Sequence, residues 1–148
     1  MARLSNTKGI YRVLDANINR AKEGLRVCEE VTRFIIGDRN LTAVLKKLRH
    51  RIDTLVNKLP DRTKLLYERE SRKDVGRTLY NKKDLKRADF KEVFLANMQR
   101  IKESLRVLEE FSKLDDVSVA LKFMEIRYDT YEIEKKVIKR LSSLYHHR

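Results

Sequence analysis

The sequence predicts an all-α protein: an antiparallel bundle of two pseudo-symmetric helical hairpins, with a long basic connector between them. Three observations predict it. The 148 residues include only four Gly and one Pro, against abundant Leu, Lys, Arg and Glu, a composition for long helices and short connections. Residues 16–30, ANINRAKEGLRVCEE, recur as residues 96–110, ANMQRIKESLRVLEE, identical at ten of fifteen positions at a constant offset of 80. Chance does not produce that, so an internal duplication is read. Finally, Leu41, Leu45, Leu48, Ile52, Leu55 and Leu59 stand at helical spacing. A chain of this length forms one domain, burying roughly two-thirds of its unfolded surface.

The elements follow in order. Ser5, Asn6 and Thr7 are cap candidates for a first helix over residues 10–36, which Gly37-Asp38 ends. Asn40 can cap a second helix over residues 41–59, closed by Pro60-Asp61. The first repeat is therefore about residues 10–59. In the connector, residues 60–88, periodicity blurs: Leu65, Leu66 and Tyr67 suit a short helix, and SRKDVGR reads as an irregular basic loop. Asp89 and Glu92 fit a capping box that opens a third long helix, ending near Leu114-Asp115-Asp116. The last helix spans about residues 117–144. Arg51-Ile-Asp-Thr54 parallels Arg127-Tyr-Asp-Thr130 at an offset of 76, which places a four-residue length difference in the hairpin loop. The repeat unit is thus a helical hairpin, used twice.

Charge narrows the partners. A net charge of +13 and pI near 10 attract nucleic acid, anionic surfaces or phosphorylated small molecules. Interspersed Lys and Glu also describe an ordinary solvated helical surface. The start of the chain lacks the apolar run of a signal peptide, and no segment is apolar enough to span a bilayer. The single Cys28 excludes an internal disulfide framework and suits a reducing cytosol, so a cytoplasmic protein is expected.

On a helical wheel, Leu14, Ile18, Ala21, Leu25, Cys28, Val31 and Ile35 form one apolar arc, with Lys22, Arg26, Glu29, Glu30 and Arg33 opposite. Asn17 falls inside the apolar arc and Arg20 on its margin. The second copy repeats this with Asn97, Arg100 and Ser104. Burying an unpaired Asn costs about 1–3 kcal/mol, so these residues need partners. One reading is a shared cavity of Asn amides and Arg forks for a phosphorylated ligand, with room left by Gly24 and Ser104. The other is that they bond one another or backbone carbonyls and fix the helix register.

Glu23 and Glu103 follow each Arg by three residues and would either hold magnesium beside bound phosphates or pair with neighbouring cations. In the connector, Arg72, Lys73 and Asp74 beside Gly76 would fold over a polyphosphate as a lid, with Asp74 on a metal, or remain a solvated loop. Arg51 and Arg127 offer further phosphate-binding cations, or surface ion pairs. Other chemistries lack support. His50, His146 and His147 have no ligand spacing, no phosphate-binding or dinucleotide glycine motif occurs, and no aromatic-rich basic stretch resembles an RNA-binding motif.

The pattern RVLDANINRAKEGLRVCEE, LRHRID, SRKDVG, ANMQRIKESLRVLEEF and IRYDTYEIE resembles the small all-helical domain of thiamin biosynthesis. That domain is found alone or fused before a thiamin-phosphate synthase barrel. The family it resembles is the monofunctional hydroxymethylpyrimidine phosphate kinases, and the resemblance covers residues 10–136. It implies transfer of a phosphoryl group from ATP, with Mg²⁺, onto 4-amino-5-hydroxymethyl-2-methylpyrimidine phosphate. On that expectation Arg20, Arg100 and Arg72 clamp phosphates as catalytic cations. Asn17, Asn97, Arg51, Arg127 and Lys73 bind substrate, and Glu23, Glu103 or Asp74 place the metal. A phosphate acceptor is largely ionised at neutral pH, so no strong general base is required. The alternative is a non-catalytic helical accessory domain that binds the pyrimidine phosphate or partners a thiamin-phosphate synthase in trans. A basic nucleic-acid binder rests on charge alone, and a homodimer through an apolar helix face is compatible with the pattern.

Overall fold

A computed structural model of the protein describes residues 7–59 and 62–146, with side chains to Leu144. Among the described residues there is no strand. The chain forms α1 (Thr7–Glu30), which continues without a break into a π-helical turn (Val31–Ile36), then α2 (Arg39–Asn57) and the short α3 (Arg62–Tyr67). Two 3-10 turns, Ser71–Lys73 and Lys82–Leu85, punctuate the connector before α4 (Phe90–Ser112) and α5 (Val117–His146). The expected all-α class and the short connector helix are both present. Ser5, Asn6, Pro60, Asp61 and His147, and the His146 side chain, lie outside what is described.

The helix ends differ in detail from the expectation. Asp38, not Asn40, caps α2: its carboxylate Oδ1 accepts from the Leu41 amide at 2.9 Å. The chain leaves the π turn through Gly37 at φ 70°, a left-handed conformation that favours glycine. Asp38 therefore arrives one step earlier in an extended conformation suited to an N-cap. At α4, Asp89 Oδ1 accepts from the Glu92 amide at 2.8 Å. Glu92 Oε2 in turn accepts from the Ala88 amide at 2.7 Å, so the reciprocal half of the box has slipped back by one residue.

The helices pack α1 on α4, α4 on α5, α5 on α2 and α2 on α1, which closes a four-helix bundle. The α1–α4 seam is antiparallel. Gly24 faces the Asn97 carbonyl and Ile101, whereas Cys28, further along α1, lies against the carbonyl of the earlier residue Phe94. Leu25, Leu45, Ile52, Ile101, Leu105, Leu108, Phe94 and Phe123 are sealed from solvent in the core. Each such side chain contributes about 1.5–3 kcal/mol on burial.

The structure corrects three wheel positions. Ile35, expected on the core arc, is 42% exposed, while Ile36 packs against the core. The wider π turn adds a residue to that loop of helix and so rotates the register by one position. Glu29, expected on the polar face, is buried and bridged to Arg49 at 2.7 Å. Its repeat partner Glu109 is equally buried, against Arg127 at 3.0 Å. Gly24 leaves no cavity. A Cβ there would lie 2.7 Å from Ile101 Cγ1 and 3.2 Å from the Asn97 carbonyl oxygen. The glycine is what lets the two central helices approach, and Ile101 fills the space.

Candidate functional site

An open cleft runs between the first half of α1 and the connector that folds back over it. Arg12, Asn17, Asn19, Arg20 and Glu23 line one wall, and Arg69, Glu70, Ser71 and Asp74 the other. Asn17, Arg20 and Glu23 follow one another at three-residue intervals and Asn19 precedes Glu23 by four, with Arg12 two turns before Asn19, so all fall on one broad side of the helix. What brings the connector here is Asp15. Its carboxylate takes the Arg69 guanidinium in a fork, Oδ2 to Nε and Oδ1 to Nη2, both at 2.7 Å. The Asn19 amide adds a third donor to the same carboxylate at 3.2 Å. Next along the chain, Lys8 bridges Glu70 at 2.5 Å, and that hydrogen bond holds the Glu70 carboxyl below its usual range. Two successive connector residues are thus tied to α1, which carries the following Ser71–Lys73 turn to the cleft's edge.

Asn17 is 95% buried, being only 5% exposed, yet satisfied: its amide donates to the Val13 carbonyl at 2.8 Å. Its own oxygen faces the Arg20 Nη1 at a long 3.5 Å. Arg20 is exposed and bridges no carboxylate among the described residues. Arg12, at the other end of the wall, is half-buried and bridges none directly, although its charge helps to hold the Glu70 carboxyl down. Asp74 turns one oxygen to the Gly76 amide at 2.9 Å. Arg72 and Lys73 stand exposed on the turn between Ser71 and Asp74. Two carboxylates, Glu23 and Asp74, therefore share a cleft with two unpaired guanidinium groups. No three carboxylate, His or Cys side chains gather as a metal cage among the described residues.

The second set of expected residues does not reach this cleft. Asn97 repeats the backbone bond of Asn17, its amide donating to the Val93 carbonyl at 2.8 Å. Arg100 is exposed, and Glu103 accepts from the Gln99 amide at 2.9 Å. A shared interior of two Asn–Arg pairs does not form, because Ile101 occupies the seam beside Gly24. Arg51 lies in an ion pair with Asp129 at 2.6 Å across α2 and α5. Arg127 is buried against Glu109, with Tyr131 at 3.4 Å from its Nη1. Asp15, Arg69, Arg12 and Asn19 were not singled out from sequence. The signal for Asp15 was present in the duplication: the second copy carries the apolar Leu95 at that position.

With this geometry in view, similarity to known proteins is informative. The ThiD2 family model matches residues 12–136. A thiamine-phosphate synthase of Nostoc punctiforme is 36% identical over 129 residues, covering 87% of this chain and 35% of the relative. One of Synechocystis is 37% identical over 143 residues, 92% of this chain and 40% of the relative. One of Rhodopirellula baltica is 35% identical over 140 residues, 95% and 37% respectively. The chain thus spans about 35–40% of the length of these curated relatives. No solved structure matches it.

These relatives correct the activity expected from the sequence. They are named for thiamine-phosphate synthase, a different reaction from phosphorylation of a pyrimidine phosphate. The phosphotransferase reading is overturned by that finding. The alternative of a helical domain that accompanies such a synthase fits them better. No described helix is long and apolar enough to cross a membrane.

Proposed function

The chain belongs to the ThiD2 family, and on that premise we propose that it is a helical accessory domain of thiamine biosynthesis. In this reading it binds a phosphorylated aminopyrimidine and works beside a thiamine-phosphate synthase in trans. The observation that carries the proposal is the cleft of α1. Arg12 and Arg20 present guanidinium groups that bridge no carboxylate directly among the described residues, beside the side chains of Asn17 and Asn19. Planar guanidinium forks suit phosphate oxygens, and carboxamides suit the donor–acceptor edge of an aminopyrimidine. The Asp15–Arg69 bridge keeps the opposite wall in place before any ligand arrives, which lowers the ordering cost of binding.

Glu23 and Asp74 fit Mg²⁺ only as an ion shared with phosphate oxygens of the ligand, since two carboxylates do not make a protein cage. Held there, the ion would neutralise phosphate charge between the two walls. Arg72 and Lys73, carried on the adjoining turn, add cations at the rim.

Calorimetric titration with 4-amino-5-hydroxymethyl-2-methylpyrimidine phosphate tests the proposal. Saturable binding is expected, with Arg20→Ala weakening it by about tenfold or more while the melting temperature holds. Absence of binding, or equal binding by Arg20→Ala and Arg12→Ala, would overturn it.

A further inference from the structure

A second cationic cleft lies at the other end of α1, where the π turn hands the chain to α2. Its walls carry Arg26 and Arg33 from α1 and the π turn, and Arg39, Lys46 and Arg49 from α2. Three carboxylates are also present, but two are already engaged. Glu29 is held by Arg49 through Nε at 2.7 Å and Nη2 at 3.3 Å. Asp38 caps α2 and accepts from Arg140 at 3.3 Å. Only Glu30 remains against Arg26, Arg33, Arg39 and Lys46, none of which has a carboxylate partner among the described residues. Arg33 stacks on the Phe34 ring at 4.8 Å.

The duplicated segment supplies an internal comparison. At the offset of 80, Arg26, Glu29, Glu30 and Arg33 correspond to Arg106, Glu109, Glu110 and Lys113. In the second copy those cations are spent on one another's carboxylates. Arg106 reaches Glu109 at 3.4 Å and Glu110 at 3.3 Å, and Lys113 bridges Glu110 at 2.8 Å. The first copy keeps the same charges and leaves them open. It also ends in a π turn, a distortion frequent at functional sites, where α4 ends in an ordinary α-helical C-terminus. Two copies of one segment have therefore diverged, the first towards a cleft of cations that bridge no carboxylate.

We propose that this cleft is a second anion-binding site, taking the diphosphate group of a small molecule. Its length selects that class. Arg26 and Arg33 are two helical turns apart, as are Arg39 and Lys46, so the cations extend over about 10 Å at 1.5 Å per residue. A single phosphate reaches fewer of these cations than two linked phosphates do. The Glu29–Arg49 pair on the cleft wall fixes that guanidinium by two of its five donors.

This inference stands apart from the α1 cleft described above, and the variants keep the two separable. The probes are inorganic pyrophosphate, an alkyl diphosphate and orthophosphate, titrated calorimetrically into the full chain at 0.1 M salt. The expected result is pyrophosphate binding that persists in Arg20→Ala, where the α1 cleft is disabled, and that adding Arg26→Ala/Lys46→Ala to that variant weakens by about tenfold or more. Orthophosphate should bind at least several-fold more weakly than pyrophosphate. A tighter fit for the alkyl diphosphate identifies an ester as the ligand, and a tighter fit for pyrophosphate identifies the free anion. Arg106→Ala/Lys113→Ala removes the same charge from the second copy. An equal loss with that control, or no loss with Arg26→Ala/Lys46→Ala, overturns the proposal, because the protein's overall positive field would then explain the binding.

Discussion

Asp15 and Arg69 join through two parallel hydrogen bonds of 2.7 Å each, across 54 residues of chain, and with the neighbouring Lys8–Glu70 bridge this contact holds the connector to the first helix. Asp15 is 8% exposed whereas the Arg69 side chain is 42% exposed, so solvent screens one partner more than the other. Asp15→Asn should cost on the order of 1 kcal/mol in global stability. Its larger effect should be local. Amide hydrogen exchange over residues 69–76 should accelerate well beyond that of α4, and equal acceleration everywhere would show that the bridge does not hold the connector in particular.

Gly24 and Ile101 set the spacing of the central seam. Gly24→Ala gains up to about 1 kcal/mol of helix propensity yet places a methyl 2.7 Å from Ile101 Cγ1. Overpacking of this kind costs about 1–3 kcal/mol, so a net loss of melting temperature is expected. Combined with Ile101→Ala, the loss should be smaller than the sum of the two single effects. Strict additivity in that double-mutant cycle would mean the two residues do not clash.

Arg127 is committed to Glu109 in a pocket where both are more than nine-tenths buried. Arg127→Ala removes the buried guanidinium from Glu109 and leaves it only the exposed Arg106 at 3.4 Å, which should cost up to about 3 kcal/mol, while Arg127→Met with Glu109→Leu should recover most of that. Thermal unfolding of the single and double variants measures both effects. Ligand affinity of the folded double variant should match the wild type, which would assign Arg127 to stability.

Asp38 sets an acid limit on the α1–α2 corner. The Leu41 amide and then Arg140 hold its carboxyl below the usual aspartate range. Because the folded value lies below the unfolded one, this stabilisation is complete above about pH 4 and is lost as pH falls through the folded value. Asp38→Asn keeps a competent cap and loses the charge, so its deficit against wild type should shrink below about pH 4. Asp38→Ala should lose about 1 kcal/mol more than the Asn variant at pH 7. Urea midpoints from pH 2.5 to 7 test both statements.

The helices were legible because their determinants are local: Leu41, Leu45, Leu48, Ile52 and Leu55 follow one stripe, and all five are buried. The duplication located the long α1 and α4 within a few residues of their ends. Ile35 misled because a π turn is a change of register that no wheel of constant pitch can show. Glu29 and Glu109 misled for another reason. A carboxylate on a helix reads as solvated until a guanidinium from a different helix is known to reach it. The cleft was half legible. Asn17, Arg20, Glu23 and Asp74 were named and do share it. Asn97, Arg100 and Glu103 were named by analogy with the first copy and lie elsewhere, because likeness along a chain does not bring two faces together. The tertiary pairing of Asp15 with Arg69 spans most of the first repeat, and periodicity has no access to it.

Cys28 is sealed at 0% exposure, its Sγ 3.8 Å from the Phe94 carbonyl oxygen, and burial pushes its thiol well above the ordinary range. As the chain's single cysteine, it makes α1 and α4 their own clock. A thiol reagent can mark the protein only in the moments when those two helices part, so the labelling rate counts openings of the seam without any probe being built in. A ligand that bridges α1 to its neighbours would be seen as a slowing of that clock.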